Sequence, residues 1–493
     1  MFNRNMWKIA CAKLAWSALM LAISISAHAG TTLVGGGSTT VSIGYLGLNA
    51  SSPATLQFFG TSGVNGIASG SLLGVYMAES GNPSVSYCET GDQAGKDILV
   101  GGPISGFTYN VQNSCTKSAS GLVTGFGASF PGINRTDLSQ PNFVASDSPL
   151  NASDLINYQA SHGASAWPTQ FPAVASAIAI AFNLEDNTGA QVNSWEVNFS
   201  DTQLCEIFSG LVTNWADVNL ASAFTLPAGH VILPTPINVI YRSDGSGGTF
   251  GLSNHLSAIC PQISTPSFGT YFQSHFFQTS QNFAGAGGMV SGFFPVSGGN
   301  QTLPTGWVGF SGDASEASTI ESTANSIGYV SMPYALAMNP ILPFADVDGL
   351  SPTSNFGISL AIRPSNLVFN EVLSTTNAAN GQPVLEAISN PPSTQCIALI
   401  PPSEYAVAST GGAGGTTTML PPGTYPIVTV SYLLGNAQGN APADLVSTRD
   451  LVDAPYNSTI TRNVTTIGLQ TGTAYLIAGK GSFFGYTPGN CLN

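Results

Sequence analysis

The stretch 238-NVIYRSDGSGGTFGLSNHL-256 determines the fold of the middle of the chain. The apolar run 237–241, which overlaps the beginning of the stretch, is typical of a buried strand. The Gly-Ser-rich segment after it is typical of a turn, and 249–259 predicts a helix. From Thr136 to Ile362, Arg242 is the only lysine or arginine. The question raised by this stretch is why a segment so poor in cations places its one guanidinium before a glycine-rich helix start.

A strand, a turn and a helix start bring backbone N–H groups together at the positive end of a helix dipole. Ser246, Gly247, Gly248 and Thr249 supply N–H and hydroxyl donors there, and Arg242 supplies a fork that matches a phosphate or carboxylate edge. The stretch therefore predicts a small-anion site. The alternative is a structural turn in which Arg242 pairs with Asp244.

Length and composition limit the possible functions. The chain has 493 residues, which favours two domains or lobes, and its 43% hydrophobic content supports sizeable cores. Only 7% of the residues are charged, and the formal net charge is −14. Because phosphate backbones are held by basic surfaces, this balance excludes a nucleic-acid partner.

Residues 1–29 are typical of a secretory signal. Arg4, Lys8 and Lys13 precede the apolar run 14-LAWSALMLAISIS-26, and Ala27-His28-Ala29 is a small-x-small cleavage site. An uncleaved membrane anchor is the alternative. The sequence therefore predicts a protein exported to the periplasm or the cell exterior, cleaved near Ala29.

The cysteines also indicate export. Once Cys11 leaves with the signal, six of the seven remain, an even number that favours three disulfides in an oxidising compartment. Pairing neighbours is the simplest connectivity, and the sequence leaves the others open. It would give the pairs Cys88–Cys115, Cys205–Cys260 and Cys396–Cys491.

The rest of the chain alternates short apolar runs with amphipathic stretches, which predicts an α/β fold. Strands are expected at 175–182 and 327–330, and a helix at 201–211 with Asp201 as its N-cap. Gly/Ser-rich insertions are expected at 99–140, 276–307 and 409–423. The phenylalanines of 276–307 indicate either a local core or an exposed contact surface that supports self-association.

Metal and cofactor chemistry has little support in the sequence. The four histidines that follow the signal are isolated and form no H-x-x-x-H or H-E-x-x-H pattern: His162, His230, His255 and His275. No C-x-x-C spacing is present either. We expect no metal site and no cofactor.

Seven segments, in one order, resemble the phosphate-binding component of bacterial ABC phosphate transporters, specifically its DING-protein branch. They are 33-LVGGGSTTV-41, 85-VSYCETGDQAGKDIL-99, 144-VASDSPLN-151, 171-FPAVASAIAIAFNL-184, 204-LCEIFSGLVTNWADV-218, 241-YRSDGSGGTF-250 and 327-IGYVSMPYAL-336. The resemblance implies a type II periplasmic-binding-protein fold, in which two α/β lobes joined by a hinge enclose the ligand in a cleft. It implies one lobe at 30–172 plus 336–493 and a second lobe at 173–335.

The resemblance also implies a set of ligand-binding residues. Thr39 and Thr40 match donors of the first lobe, Asp147 matches the carboxylate that accepts the proton of phosphate, and Arg242, Ser246 and Gly247 match the donors of the second lobe. Two positions depart from the family pattern. Asp92 stands where the family has serine, and Gly248 stands where it has threonine, with Thr249 one step later. A second carboxylate facing phosphate would repel it.

These observations predict an exported phosphate- or oxyanion-binding protein that serves an ABC transporter permease or scavenges its ligand. One alternative is an extracellular surface or assembly-forming protein that keeps the fold with a degraded phosphate pocket. A secreted phosphatase is the third hypothesis, and the sequence contains no activated nucleophile that would favour an enzyme.

Overall fold

The computed structural model describes residues 31–47, 58–59, 66–118, 122–264, 267–298, 300–356, 364–377, 379–391, 395–407, 419–465, 475–477 and 488–493. The predicted signal at 1–29 and most of the low-complexity segment 409–423 lie outside these residues.

Twenty strands lie within the described residues: β1 Leu33–Gly37, β2 Phe58–Phe59, β3 Val85–Glu89, β4 Gly102–Ile104, β5 Phe107–Tyr109, β6 Phe143–Ser146, β7 Pro168–Asn183, β8 Asn198–Phe199, β9 Asn238–Arg242, β10 Val296–Ser297, β11 Asn300–Gln301, β12 Val308–Phe310, β13 Ser326–Ser331, β14 Phe344–Val347, β15 Val368–Phe369, β16 Glu371–Asn377, β17 Pro383–Ala387, β18 Ala398–Leu399, β19 Val428–Asn436 and β20 Tyr475–Ile477.

The α-helices of the same part of the chain are α1 Ser42–Leu46, α2 Leu72–Ala78, α3 Asp92–Val100, α4 Ala152–His162, α5 Asp201–Phe208, α6 Gly247–Ile259, α7 Asp313–Ser322, α8 Met332–Ala337, α9 Leu445–Asp453 and α10 Ser458–Asn463. The predicted α/β class is confirmed.

The long strand β7 connects two groups of strands. The main sheet runs in the order β12-β9-β13-β7-β19-β6-β1-β3-β2. The first part of β7 pairs with β19, and its end, from Ile178 onward, pairs with β13. Both pairings are antiparallel, whereas β1 runs parallel to β3 and β6, and β9 runs parallel to β12 and β13. One lobe thus contains β1, β3 and β6, and the other contains β9, β12 and β13.

The apolar pattern of the sequence explains the position of β7. All but the last of its 16 residues are buried, so the strand is covered on both faces, as a near-continuous apolar run requires. The predicted strands at 175–182 and 327–330 fall within β7 and β13, and the strand predicted at 237–241 overlaps β9, which begins and ends one residue later. The predicted first lobe boundary, between 172 and 173, falls inside β7.

The helix predicted at 201–211 is α5, which ends at Phe208, and its N-cap was predicted wrongly. Ser200, not Asp201, occupies the cap, because its hydroxyl accepts the N–H of Gln203 while the Gln203 side chain accepts the N–H of Ser200. This reciprocal pair is a capping box. Asp201 is instead the first helical residue, where its charge favours the helix dipole.

Three disulfides connect neighbouring cysteines along the chain. The pairs are Cys88–Cys115, Cys205–Cys260 and Cys396–Cys491, the simplest connectivity considered from the sequence. The first joins the end of β3 to the Gly/Ser-rich segment 99–140, and the second joins α5 to the end of α6.

The insertion at 276–307 packs into the main hydrophobic core. Phe277 and Phe283 are buried, and the ring of Phe283 stacks on Tyr241 of β9 with centroids 4.4 Å apart. Trp307 lies against Phe283 at 5.7 Å. The backbone carbonyl of Gln281 accepts the N–H of Ser246, which precedes α6, at 2.9 Å. The insertion therefore supports the turn that contains Arg242 and Ser246.

Candidate functional site

The first lobe brings Thr39 and Thr40 to the lobe interface at the carboxyl end of β1. Both threonines are buried in the turn between β1 and α1. Their hydroxyls donate hydrogen bonds to one oxygen of Asp313, at 3.2 Å and 2.9 Å. Since Asp313 begins α7 in the other lobe, the predicted donors are in the interface and are already bonded across it.

Asp92 begins helix α3, directly after Gly91 at the end of β3. It is fully buried, and its carboxylate accepts the N–H of Gly247 at 2.6 Å and the N–H of Asp147. Gly247 opens helix α6, so Asp92 lies at the N-terminus of a helix of the opposite lobe. An anion is stabilised at such a position by free amides and the helix dipole. Asp92 therefore occupies part of the predicted oxyanion position.

Asp147 follows β6 and is also fully buried. The hydroxyl of Ser38 donates a hydrogen bond to one of its oxygens. Residue 247 must be glycine here, because a Cβ at that position would lie only 2.1 Å from the Cβ of Asp147. The close approach brings the first turn of α6 against the carboxyl group predicted to accept a proton.

Arg242, at the end of β9, is 1% exposed and fully paired. Its Nε and Nη2 donate to the two oxygens of Asp244 at 2.8 Å and 2.6 Å. Nη2 also donates to the Thr39 hydroxyl at 2.9 Å, and Nη1 donates to Asp313. The alternative considered from the sequence, pairing of Arg242 with Asp244, is observed, and the guanidinium also contacts Thr39 across the interface.

The remaining predicted donors are bonded within the first turn of α6. Ser246 is the N-cap, and its hydroxyl accepts the N–H groups of Gly248 and Thr249 at 3.0 Å and 3.4 Å. The Gly248 N–H also approaches the Thr40 hydroxyl at 3.3 Å. The Thr249 hydroxyl is hydrogen-bonded to the Tyr329 hydroxyl at 2.7 Å. Seven of the nine predicted residues therefore make contacts across the interface, whereas Ser246 and Thr249 bond within the second lobe.

Asp313 is the site residue that the sequence motifs missed. It accepts hydrogen bonds from Thr39, Thr40, Arg242 and, at 3.2 Å, the Ser331 N–H. None of the seven family-like segments covers 311-SGDASEAS-318, so the family resemblance did not indicate that Asp313 belongs to the site. An internal signal does exist, because 90-TGD-92 and 311-SGD-313 share a hydroxyl residue, a glycine and an aspartate at a helix start.

The site holds more carboxyl groups than its single guanidinium can neutralise. Burial, and then the charge of Asp92, raise the pKa of Asp147 well above its usual range. Burial raises the pKa of Asp92 to about 6, against the lowering effect of the Asp147 and Gly247 N–H groups. Burial also raises the pKa of Glu316 in α7 well above its usual range. Burial thus disfavours the ionised forms of Asp147 and Glu316.

The space between the lobes is small. A cavity of about 10 Å³ lies beside Asp313, lined by Thr39, Glu89, Ser311 to Ser315 and Tyr334. That is room for about one water molecule. This cavity is too small for a tetrahedral oxyanion.

The described residues contain neither a metal-binding cluster nor a helix that could span a membrane. Within the described residues, no group of three or more His, Cys, Asp or Glu side chains is placed to hold a metal ion. No helix there combines the length and apolar character that crossing a membrane requires.

Comparisons with known proteins agree with the sequence motifs. Residues 49–448 match the model of the PBP superfamily domain. The chain is 30% identical over 213 residues to alkaline phosphatase L of Pseudomonas aeruginosa PAO1, covering 43% of this chain and 47% of that protein. It is 29% identical over 206 residues to the phosphate-binding protein PstS of Xylella fastidiosa 9a5c, covering 42% and 44%. The chain thus spans about half the length of these relatives.

A solved structure shares the fold over a longer span. The periplasmic phosphate-binding protein PfluDING, with phosphate bound, aligns over 92% of each chain with a TM-score of 0.52 and 19% identity. At this identity the likeness concerns the fold. The resemblance to phosphate-binding and DING proteins and the two-lobed α/β architecture, both predicted from the sequence, are confirmed.

Proposed function

The chain belongs to the PBP superfamily, and from that premise we propose that it is an exported protein that binds phosphate or a similar tetrahedral oxyanion between its lobes. Partial similarity to PstS supports this proposal. The predicted division into residues 30–172 plus 336–493 and 173–335 is part of it, as is removal of residues 1–29 on export.

One observation carries the proposal: donors from both lobes converge on buried carboxylates at the interface. Thr39 and Thr40 from one lobe and Arg242 from the other meet at Asp313, and the Gly247 N–H meets Asp92. A carboxylate is itself a small planar oxyanion with the same acceptor chemistry as phosphate. The positions of Asp92 and Asp313 therefore mark where this donor set holds an anion.

Asp147 supplies the selectivity that we propose. A protonated phosphate can donate a hydrogen bond to a carboxylate, whereas sulfate near neutral pH has no proton to donate. Asp147 is buried next to the Gly247 end of α6, within reach of the same position. In this proposal, Asp147 accepts the phosphate proton and Arg242 neutralises the charge.

We propose that the protein delivers the bound oxyanion to an ABC transporter permease or scavenges it outside the cell. The named PstS relatives and the expected signal peptide support a periplasmic or extracellular location. No metal or cofactor enters this proposal.

Isothermal titration calorimetry on the exported chain tests the proposal with phosphate, arsenate and sulfate. We expect phosphate and arsenate to bind and sulfate to bind at least about tenfold more weakly, since it lacks the proton. Arg242→Ala and Asp147→Ala should abolish the binding. Absence of heat with all three oxyanions would refute an oxyanion-binding function for the native chain.

A second candidate is a surface or assembly-forming protein with a degraded pocket. It is favoured by the same contacts, since Asp92 and Asp313 already satisfy donors that a ligand would need. Two like charges about 4 Å apart at a partly buried site repel by roughly 4 kcal/mol. Electron microscopy of the native source tests this candidate, because ordered polymers that contain the chain would support it and a monomeric periplasmic protein would argue against it.

A phosphatase activity has the weakest support. Although one relative is named alkaline phosphatase L, the histidines of the described residues bond elsewhere. His230 pairs with Asp186, and His255 pairs with Asp201 and the Ala406 carbonyl. No histidine in the described residues contacts the donor set, so a general base of that type is missing there. Hydrolysis of p-nitrophenyl phosphate that disappears in Arg242→Ala would restore this hypothesis.

A further inference from the structure

Two helix starts with the same sequence pattern face each other across the lobe interface. Gly91 and Gly312 are the N-cap residues of α3 and α7, with φ of +89° and +87°, a conformation that glycine adopts without strain. The next residue in each case is a buried aspartate, Asp92 or Asp313. The two lobes therefore present equivalent carboxylates.

The contacts of these carboxylates are reciprocal. Asp92 of the first lobe accepts the N–H of Gly247 from the second lobe at 2.6 Å. Asp313 of the second lobe accepts the Thr40 hydroxyl of the first lobe at 2.9 Å. Each carboxylate also accepts within its own lobe, from the Asp147 N–H and from Arg242 respectively. The carboxylates of Asp92 and Asp313 thus join the two lobes.

The same donors form the oxyanion site proposed above. A ligand oxygen at the Gly247 N–H would take the place of an Asp92 oxygen, because that N–H points at Asp92. A ligand oxygen at Thr39, Thr40 and Arg242 would likewise replace Asp313. A ligand and these two carboxylates therefore cannot share the donors.

We propose that Asp92 is a specificity-determining residue that acts as a built-in competing anion, and that Asp313 completes this internal occupation from the other lobe. Phosphate binds only when Asp92 leaves the Gly247 amide, so the native chain is a weak binder and an Asp92 variant is a strong one. This inference rests on the proposed function, because it concerns the same donors.

Asp147 adds a second effect of Asp92. After burial, the charge of Asp92 is the largest influence that raises the pKa of Asp147 and so disfavours its ionised, accepting form. Removing the Asp92 charge lowers the pKa of Asp147 and restores an acceptor for protonated phosphate. A substitution that removes the Asp92 carboxylate therefore frees the Gly247 N–H as a donor and favours Asp147 as an acceptor.

The test compares phosphate binding by the exported chain and by its Asp92→Ser variant, using calorimetry with inorganic phosphate at pH 7.5. Serine removes the charge and adds a hydroxyl donor. We expect the variant to bind at least about 100-fold more tightly than the native chain. The matched control is Asp97→Ser, on the same helix, whose carboxylate bonds Gln93 at 2.8 Å and contacts none of the donors. The control should bind like the native chain.

Thermal unfolding with and without phosphate provides a second readout. Asp92→Ser should unfold at a lower temperature than the native chain without phosphate, and 10 mM phosphate should recover most of that loss, on the order of several degrees. Phosphate should shift the native chain much less. Asp92→Asn keeps the size and one acceptor oxygen, so it serves if Asp92→Ser does not fold, with an expected gain of about tenfold.

The outcomes separate this inference from the proposed function. Binding by Asp92→Ser alone supports the inference and shows that the native chain has lost the function. Tight binding by the native chain that weakens in both Asp92 variants supports the function and overturns the inference. Equal affinity of the native and variant chains also overturns it. If neither the native chain nor a folded variant binds, both fail.

Discussion

Two buried arginines in this protein have nearly the same local chemistry but different surroundings. In 135-RTD-137 and 242-RSD-244, the arginine fork chelates the aspartate two residues later, at 2.8–2.9 Å and 2.6–2.8 Å. Each arginine also pairs with a distant buried aspartate, Asp444 or Asp313. A paired arginine therefore does not by itself define a binding site.

The difference lies in what else faces each pair. Around Arg135, the other contacts are the Thr32 carbonyl and the Asn142 amide that donates to Asp444, all within one lobe. Around Arg242, threonine hydroxyls of the opposite lobe converge at the interface that also holds the α6 N-terminus. Arg135 fixes the start of β1 to α9, whereas Arg242 lies where the lobes meet. The converging neutral donors are what distinguishes the surroundings of Arg242 from those of Arg135.

The largest effects should come from removing either arginine. Arg135→Ala and Arg242→Ala each leave a buried aspartate without its cation, so we expect each to lower the free energy of unfolding by about 3–5 kcal/mol in urea titrations. Only Arg242→Ala should also abolish phosphate binding when introduced with Asp92→Ser. Arg449→Ala is the control and should cost less, since within the described residues that guanidinium hydrogen-bonds only the Leu492 carbonyl. Loss of phosphate binding in Arg135→Ala would break the comparison.

The sequence predicted much of this site because local patterns dictate local structure. The strand, turn and helix around Arg242 follow from an apolar run, a glycine cluster and a helical pattern, and β9 and α6 have those bounds within two residues. The ordered motifs then placed Thr39, Asp92 and Asp147 opposite that turn. The disulfides followed from the cysteine count and the simplest pairing.

The sequence could not predict which groups would satisfy the donors. The contact between Thr40 and Asp313 joins residues 273 positions apart, and that separation carries no periodic signal. The pairing of Asp92 with Gly247 likewise depends on how two lobes close. The N-cap of α5 was missed for a local reason, since Ser200 and Asp201 both suit a cap and the choice depends on Gln203 three residues after Ser200.

A smaller effect is expected from weakening the two distant aspartates. Asp313→Asn and Asp444→Asn keep one acceptor oxygen but lose the charge opposite an arginine, so each should cost about 2–3 kcal/mol. Because Asp313 joins the lobes and Asp444 acts within one lobe, only Asp313→Asn should increase the radius of gyration measured by X-ray scattering. An equal radius for both variants would show that the Asp313 contacts do not hold the lobes together.

The two regions should also respond oppositely to pH. The pKa of Asp92 is raised to about 6, so the folded chain keeps this proton while the unfolded chain loses it, and stability falls as pH rises from about 4 to about 6. The groups around Asp92 are Asp147, Arg242 and Lys96. Asp137 has a lowered pKa, mainly from its hydrogen bonds to Arg135, so its contribution is lost as pH falls below about 4.

Urea unfolding at pH 4.5 and pH 7 checks this difference. We expect the native chain to be about 1–2 kcal/mol more stable at pH 4.5, as a raised carboxyl pKa requires. Asp92→Asn should reduce that gain, although other carboxyl groups will retain part of it, because burial raises the pKa of Asp97, Asp348 and Asp453 to about 6 and that of Glu206 to about 7. Asp444→Asn should leave the gain unchanged. A native chain that is less stable at pH 4.5 than at pH 7 would contradict the assignment.

The smallest effect concerns the aspartates next to the arginines. The Asp137 side chain is 57% exposed and that of Asp244 is 15% exposed, although their chelating geometries are alike. Water and salt screen an exposed pair, so Asp137→Ala should cost less than about 1 kcal/mol, and 0.5 M NaCl should remove most of that cost. Asp244→Ala should cost more and depend less on salt, because Asp244 also accepts the Gly312 N–H at 3.2 Å. Since Gly312 precedes Asp313, losing Asp244 should also loosen the start of α7. Equal, salt-sensitive costs for both variants would mean that burial at the lobe interface adds nothing to the arginine fork, and the anion position would then depend on the helix amides and threonine hydroxyls alone.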